Sequence, residues 1–189
     1  MPYTTVVAGT TITASWGNAN VRDQVVTPFA SASARTSAVT VPVEGMVSFL
    51  NDVNSLDVYN GAQWVSVYPS SLNVNTIETT TSTTYTDLST SGPAVSLATG
   101  TSAIVTLSTG ARHSSTDVAY MGVAVSGAST VAANDNQAAE CVGVSTDTVS
   151  LTFKLTGLTA GTNTFTCKYR TPSGTATYQN RNITVWGLP

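Results

Sequence analysis

His113 is the single histidine of the chain. It stands in Thr109-Gly-Ala-Arg-His-Ser-Ser-Thr-Asp117, where Ser114, Ser115 and Asp117 could supply a nucleophile and an orienting acid. A triad is an arrangement in space with an oxyanion hole beside it, and neighbours within one Gly-flanked loop provide neither. His113 is therefore expected as a solvent-exposed loop residue, and no catalytic residue is assigned. The ten carboxylates are spread from Asp23 to Asp147. Glycan cleavage needs two acids at a fixed separation, and depolymerising proteins usually carry them on a long parallel β-helix with its own repeat; no such repeat is present. Asp52, Asp57, Asp117 and Asp135 read as turn formers whose side chains bond nearby backbone.

Metal chemistry is equally short of parts. Ala133-Asn-Asp-Asn-Gln137 offers one carboxylate among amides, a weak calcium set. Cys141 and Cys167 form no Cys-x-x-Cys pair, and one histidine completes no zinc site. No metal or cofactor is expected. The cysteines fall in expected strands, either as two buried thiols or as a cross-strand disulfide; the spacing leaves both open.

Binding residues are better supplied than catalytic ones. Arg112-His-Ser-Ser115, Asn134-Asp-Asn-Gln137 and Thr171-Pro-Ser-Gly-Thr175 are polar connections between apolar runs, where recognition tends to sit. Near the N-terminus, Trp16, Arg22, Asp23 and Phe29 are candidate attachment or subunit contacts. Trp16 is either an anchor inserted into a partner or a packing residue, and Arg22 and Asp23 could pair between subunits. Trp64 is expected to fill a small core, and Trp186, in the last strand, to be either a core residue or part of a subunit contact.

The elements that position these residues are mainly β. From Thr83 to Pro189, runs rich in Val, Thr, Ile, Tyr and Phe alternate with Gly, Ser, Asn and Asp, the pattern of an antiparallel β-sandwich. Val149, Leu151, Phe153 and Leu155 fall at strict period two, with Ser150, Thr152 and Lys154 on the other face. Phe165, Cys167 and Tyr169 repeat it. Thr84–Leu88 and Ala94–Leu97 are candidate first strands.

The first 68 residues read as a separate module. Val21, Val25 and Phe29 recur every four residues, which predicts one short helix over 19–27, capped by Ser15, Asn18 or Asn20 and ended by Pro28. Residues 30–40 lack a clear period and read as linker or weak helix. Met46–Leu50, Leu56–Tyr59 and Trp64–Tyr68, separated by Asn51–Ser55 and Asn60-Gly-Ala-Gln63, predict a three-stranded meander. So small a sheet has little independent stability and needs the helix or another subunit. Residues 69–82, rich in Ser, Thr and Asn, read as a linker or a surface strand.

Composition narrows the function classes. Only 9% of the 189 residues are charged, against about 25% in ordinary soluble domains. A surface built from hydroxyls suits exposed β structure and extracellular or virion surfaces. The net charge of −3, with seven scattered Lys and Arg, excludes a phosphate-tracking nucleic-acid binder. No apolar run approaches the ~20 residues that span a bilayer, and Met1–Gly9 lacks the basic and apolar segments of an export signal.

The string Ala14-Ser-Trp-Gly-Asn-Ala-Asn-Val-Arg-Asp-Gln-Val25, with Phe29, Arg35, Pro42-Val-Glu-Gly-Met46, Leu50-Asn-Asp52, Leu56-Asp-Val-Tyr-Asn-Gly61 and Trp64-Val65, resembles the opening module of small structural proteins of tailed bacteriophages, particularly those of actinobacterial hosts. There it precedes a variable β-rich domain. Thr84–Leu88, Gly92-Pro-Ala-Val95, Thr99–Leu107, Leu155–Gly161 and Thr175–Ile183 look like the terminal jelly-roll domain of phage fibre and receptor-binding proteins. The resemblance implies a virion component assembled in the host cytoplasm: a homotrimeric short fibre or tail-tip appendage. Its first module would dock on other virion proteins and its jelly-roll-like domain would face a host-surface glycan or protein. A head fibre or capsid decoration protein is the alternative within viruses. A secreted carbohydrate-binding module is the rival from another class, and would show a signal peptide and a row of exposed aromatics on one sheet face.

Overall fold

The computed structural model describes residues 7–21 and 25–189, the side chains of 18–20 excepted. The chain is mainly β and divides into two compact units, Met1–Val67 and Tyr68–Pro189.

Among the described residues the first unit carries two helices, the second of them in the stretch read as linker or weak helix. Helix α1 is Ala14–Asn20, begun by Thr13, whose hydroxyl accepts from the Trp16 N–H at 3.1 Å. The expected helix over 19–27 is thus displaced, and Ser15, Asn18 and Asn20 lie inside α1 instead of capping it. The Val21, Val25, Phe29 spacing misleads because Phe29 belongs to strand β1, Thr27–Phe29, paired parallel to β2, Val47–Leu50. Pro28 does not end a helix; it sits in an edge strand, where a missing N–H is tolerated. Helix α2, Ala32–Ala38, forms in the stretch without apolar period. Ser31 caps it by accepting from the Ala34 N–H, alanine supplies propensity, and its buried side chain is a charged one, Arg35.

The meander is present: β2, β3 (Ser55–Tyr59) and β4 (Trp64–Ser66) run antiparallel, so the sheet order is β1-β2-β3-β4. Asn60 shapes the second turn by accepting from the N–H groups of Ala62 and Gln63.

In the second unit the stretch read as linker or surface strand contains two strands, β5 (Ser70–Val74) and β6 (Glu78–Thr80), both paired antiparallel to the last strand. Thr84–Leu88, expected as a strand, makes only an isolated bridge from Thr86 to Tyr169. The remaining strands are β7 (Ala94–Thr99), β8 (Ser102–His113), β9 (Val118–Gly127), β10 (Ala138–Val142), β11 (Asp147–Thr156), β12 (Gly161–Arg170) and β13 (Ala176–Leu188). One sheet has the order β10-β9-β12-β7 and the other β11-β8-β13-β5, with β6 also on β13. The pairs β5–β13, β7–β12, β8–β11 and β9–β10 nest one inside another along the chain, all antiparallel.

Inward residues of both sheets make one buried cluster, among them Val105, Leu107, Met121, Phe165, Tyr169, Tyr178, Ile183 and Val185. Cys141 and Cys167 are free buried thiols, and Cys141 Sγ donates to the Ala111 carbonyl at 3.0 Å. Trp186 is not a core residue: at 46% exposure it stands on the outer face of β13 between buried Val185 and Gly187.

Candidate functional site

In the first unit the polar centre is Arg35. Its Nη1 donates to Asp57 Oδ2 at 2.6 Å and to Ser48 Oγ at 2.9 Å, and the guanidinium lies 4.2 Å above the Trp64 ring. Tyr59 packs against the same indole at 5.4 Å, so Trp64 is half-buried between a ring and a cation. Asp57 is held from its other oxygen by Ser55. It is therefore an ion-pair partner of α2, and its expected part as a turn former is corrected. This pair fastens α2 to the sheet, a task apolar side chains usually perform.

Apolar burial around that centre is slight. Of the described aliphatic and aromatic side chains of the first unit, Leu50 and Val65 are buried, while Val7, Ile12, Val21, Val25, Val26, Val41, Val43 and Val53 are exposed. Val41 is 81% exposed. A groove of about 400 Å³ opens beside it, lined chiefly by Phe29, Val39, Val41 and Met46. Of the expected contact residues, Phe29 lines this groove and Trp16 does not; Trp16 is half-buried on α1. Arg22 and Asp23 lie outside the described residues.

In the second unit two of the three expected recognition loops are bonded together. His113 is 1% exposed, not the exposed loop residue expected. It ends β8, and its ring is held by residues sixty positions away: Nε2 donates to the Ser173 carbonyl at 2.7 Å. That fixes Nδ1 as the acceptor for the Ser115 N–H and hydroxyl, each at 3.0 Å. The Ser114 N–H donates to the Thr175 carbonyl, and the Thr175 N–H returns a bond to Ser114 Oγ. Gly174, at φ +58°, passes so close that a Cβ there would stand 2.8 Å from the ring. Asp117 is not on the histidine; it takes bonds from the Ser173 hydroxyl and the Val118 N–H, which hold its carboxyl below the ordinary range. The constellation ties loops together, with the histidine on the Ser173 carbonyl and the acid on the Ser173 hydroxyl, and neither on the other.

The third loop, a single 3-10 turn at Asp135–Gln137, joins the end of β12. Arg170 donates from Nε to Asp135 Oδ1 at 2.8 Å and from Nη2 to Oδ2, and the Tyr85 hydroxyl donates to Asp135 at 3.0 Å. The guanidinium lies 4.3 Å over Tyr120. Its hydrogen bonds hold the Asp135 carboxyl below its usual value. Burial, with the bond to Asp135 second, pushes the Tyr85 phenol up. Tyr85 approaches the sheet because residue 122 is glycine: a Cβ there would meet its ring at 2.8 Å. Two aromatics therefore do stand on one sheet face, and Arg170 covers the nearer face of Tyr120.

A second buried cation anchors the segment between β5 and β7. Arg181, fully buried, donates to the Thr90 and Gly92 carbonyls and to Thr76 Oγ1, with Glu78 at 3.5 Å. Glu78 in turn accepts from Thr90, which is the main reason its carboxyl sits below the ordinary range. No signal in the sequence marked Arg181 as internal, since its partners lie about ninety residues away.

Among the described residues no group of three or more His, Cys, Asp or Glu could hold a metal ion, and no helix is long and apolar enough to cross a membrane. No protein-family model and no curated protein matches the chain. Among solved structures, an arabinose-bound GH51 α-L-arabinofuranosidase is similar over 61% of this chain and 23% of that one, at 11% identity and a TM-score of 0.31. The chain thus matches under a quarter of that enzyme's length, and a likeness of that size carries no argument about fold or activity.

Proposed function

We propose that this is a non-enzymatic structural protein of a tailed-phage virion, a short homotrimeric fibre or tail-tip appendage. The first unit is its attachment module, and the second is a jelly-roll-like sandwich facing the host envelope. The carrying observation is the first unit's surface: two described apolar side chains are buried, eight are exposed, and a groove runs beside the most exposed of them. An apolar surface of that kind marks a site of protein contact. The nested order β5–β13, β7–β12, β8–β11, β9–β10 across two four-strand paths supports the jelly-roll reading, an architecture of capsid and lectin domains.

Labelling purified particles with antibody to the second unit tests this under the electron microscope. Label at the tail end is the expected result. Label on the head moves the reading to a head fibre or decoration protein, and particles without label overturn it. Native mass measurement reports the oligomer: three chains are expected, and a stable monomer of 19.4 kDa overturns the trimer.

A further inference from the structure

We infer that the outer face of β8 and β13 around Arg112 is a binding site for an anionic group carried on a hydroxylated scaffold, the carboxylate of a sugar acid or the phosphate of a polyol phosphodiester. The inference rests on the host-facing reading of the second unit and names the chemistry of its contact.

The first observation is a free cation. Of the described cations, Arg35, Lys168, Arg170 and Arg181 each stand against a carboxylate. Arg112 does not, although the chain is net acidic. It is exposed, and it projects from a strand pair, Arg112 opposite Thr177, that is fixed by the β8–β13 ladder. A guanidinium on a rigid strand presents its donors in the fork geometry that suits a carboxylate or phosphate.

The second observation is the shape and lining of the surface. Two recesses, of about 210 and 240 Å³, meet at Arg112 and Thr177. Each lies below the roughly 300 Å³ at which drug-sized pockets begin, so each takes one small unit. Thr146 and Gln179 furnish one recess with a hydroxyl and an amide; Ser114 and Thr175 furnish the other. No carboxylate lines either, whereas the groove at β10 and β11 carries both Asp135 and Glu140. Ile77 and Val144, 67% and 63% exposed, give each recess an apolar wall on which the C–H face of a sugar or polyol can rest. Gly110 keeps the floor open, since a Cβ there would press on the Gln179 side chain at 3.0 Å. One cation among hydroxyls fits a single anionic group on a polyol; a nucleic acid needs a track of cations.

The test is an amide and guanidinium NMR titration of the full chain with sodium glucuronate, glycerol 3-phosphate and, as a neutral control, methyl glucoside. At least one anion should shift the signals of Arg112, Thr146, Thr177 and Gln179, with a dissociation constant on the order of 1 mM, as one charge-assisted contact gives. Which anion binds more tightly identifies the source. Arg112→Gln should weaken binding about tenfold or more, Arg112→Lys less, and Lys154→Gln, the other described unpaired cation, not at all. Shifts that persist in Arg112→Gln, equal shifts with methyl glucoside, or no shift at these residues with either anion overturn the site. Particles that carry the protein while it fails this titration would leave the appendage reading standing; binding by a protein missing from particles would do the reverse.

Discussion

The two units solve the same problem, closing a small β structure, by opposite means. The second draws side chains from both sheets into a continuous apolar cluster and admits one internal cation, Arg181, whose bonds hold the segment between β5 and β7. The first has Leu50 and Val65 buried and places an ion pair, Arg35 with Asp57, where a helix normally presents leucine. Two buried apolar side chains among its described residues return little transfer energy against the entropy cost of ordering a chain. The difference is what the attachment proposal rests on: in the second unit the described apolar side chains are gathered inside, and in the first most of them lie on the surface.

The largest expected effect is in the apolar cluster. Phe165→Ala, at a fully buried position, should destabilise the second unit by about 3–5 kcal/mol, read as a lower urea midpoint. Next is Asp57→Ala, which leaves Arg35 buried without its acid and should cost about 3 kcal/mol; loss of protection at β3 amides in hydrogen exchange reports it. The double variant Arg35→Met, Asp57→Leu should recover most of that loss, because no buried charge is left uncompensated. If Asp57→Ala is silent, the ion pair is not what holds α2, and the contrast between the units fails.

Acid should separate the units more gently. Hydrogen bonds lower the carboxyls of Asp135 and Asp117 from 3.8 and of Glu78 from 4.5. A group depressed in the folded state contributes fully above its ordinary value and loses that contribution as pH falls through the folded one. The melting temperature of the second unit should therefore hold down to about pH 4.5 and fall below it. Asp135→Asn should flatten that fall only slightly, because Asp135 is 45% exposed and solvent screens its pair with Arg170. An unchanged profile in Asp135→Asn, within the error of the scan, would assign the acid limb to the other carboxylates.

What the sequence disclosed depended on whether a residue's partners lay within its own strand period. β11 and β12 were legible because their alternation alone sorts Phe153 from Thr152 and Phe165 from Thr166. The meander was legible from Asn60-Gly61. α2 was legible only as one of two alternatives, linker or weak helix, because its inward residue is an arginine and no apolar period exists to be read. β5 and β6 were legible no further than as linker or surface strand because their pairing, and not their own apolarity, holds them on β13; Leu72 is 47% exposed. The three recognition loops were visible as loops, but the bond that internalises His113 spans sixty residues. Arg112 and Arg181 look alike in sequence, and one is outside and the other inside because of strand neighbours that only the fold assembles.

The smallest change in stability is expected where the proposed function predicts the clearest consequence. Val41 is 81% exposed beside the groove of the first unit, so Val41→Glu removes almost no buried area and should alter stability by no more than about 0.5 kcal/mol. A charge at that position must nevertheless be desolvated by any protein seated on the groove, so the variant should stay folded and be absent from particles. Normal incorporation would mean that the exposed valines of the first unit face water in the virion, and the attachment surface would have to be sought on another face. Incorporation restored by Val41→Leu but not by Val41→Gln would show that apolarity, and not side-chain length, is what the partner reads.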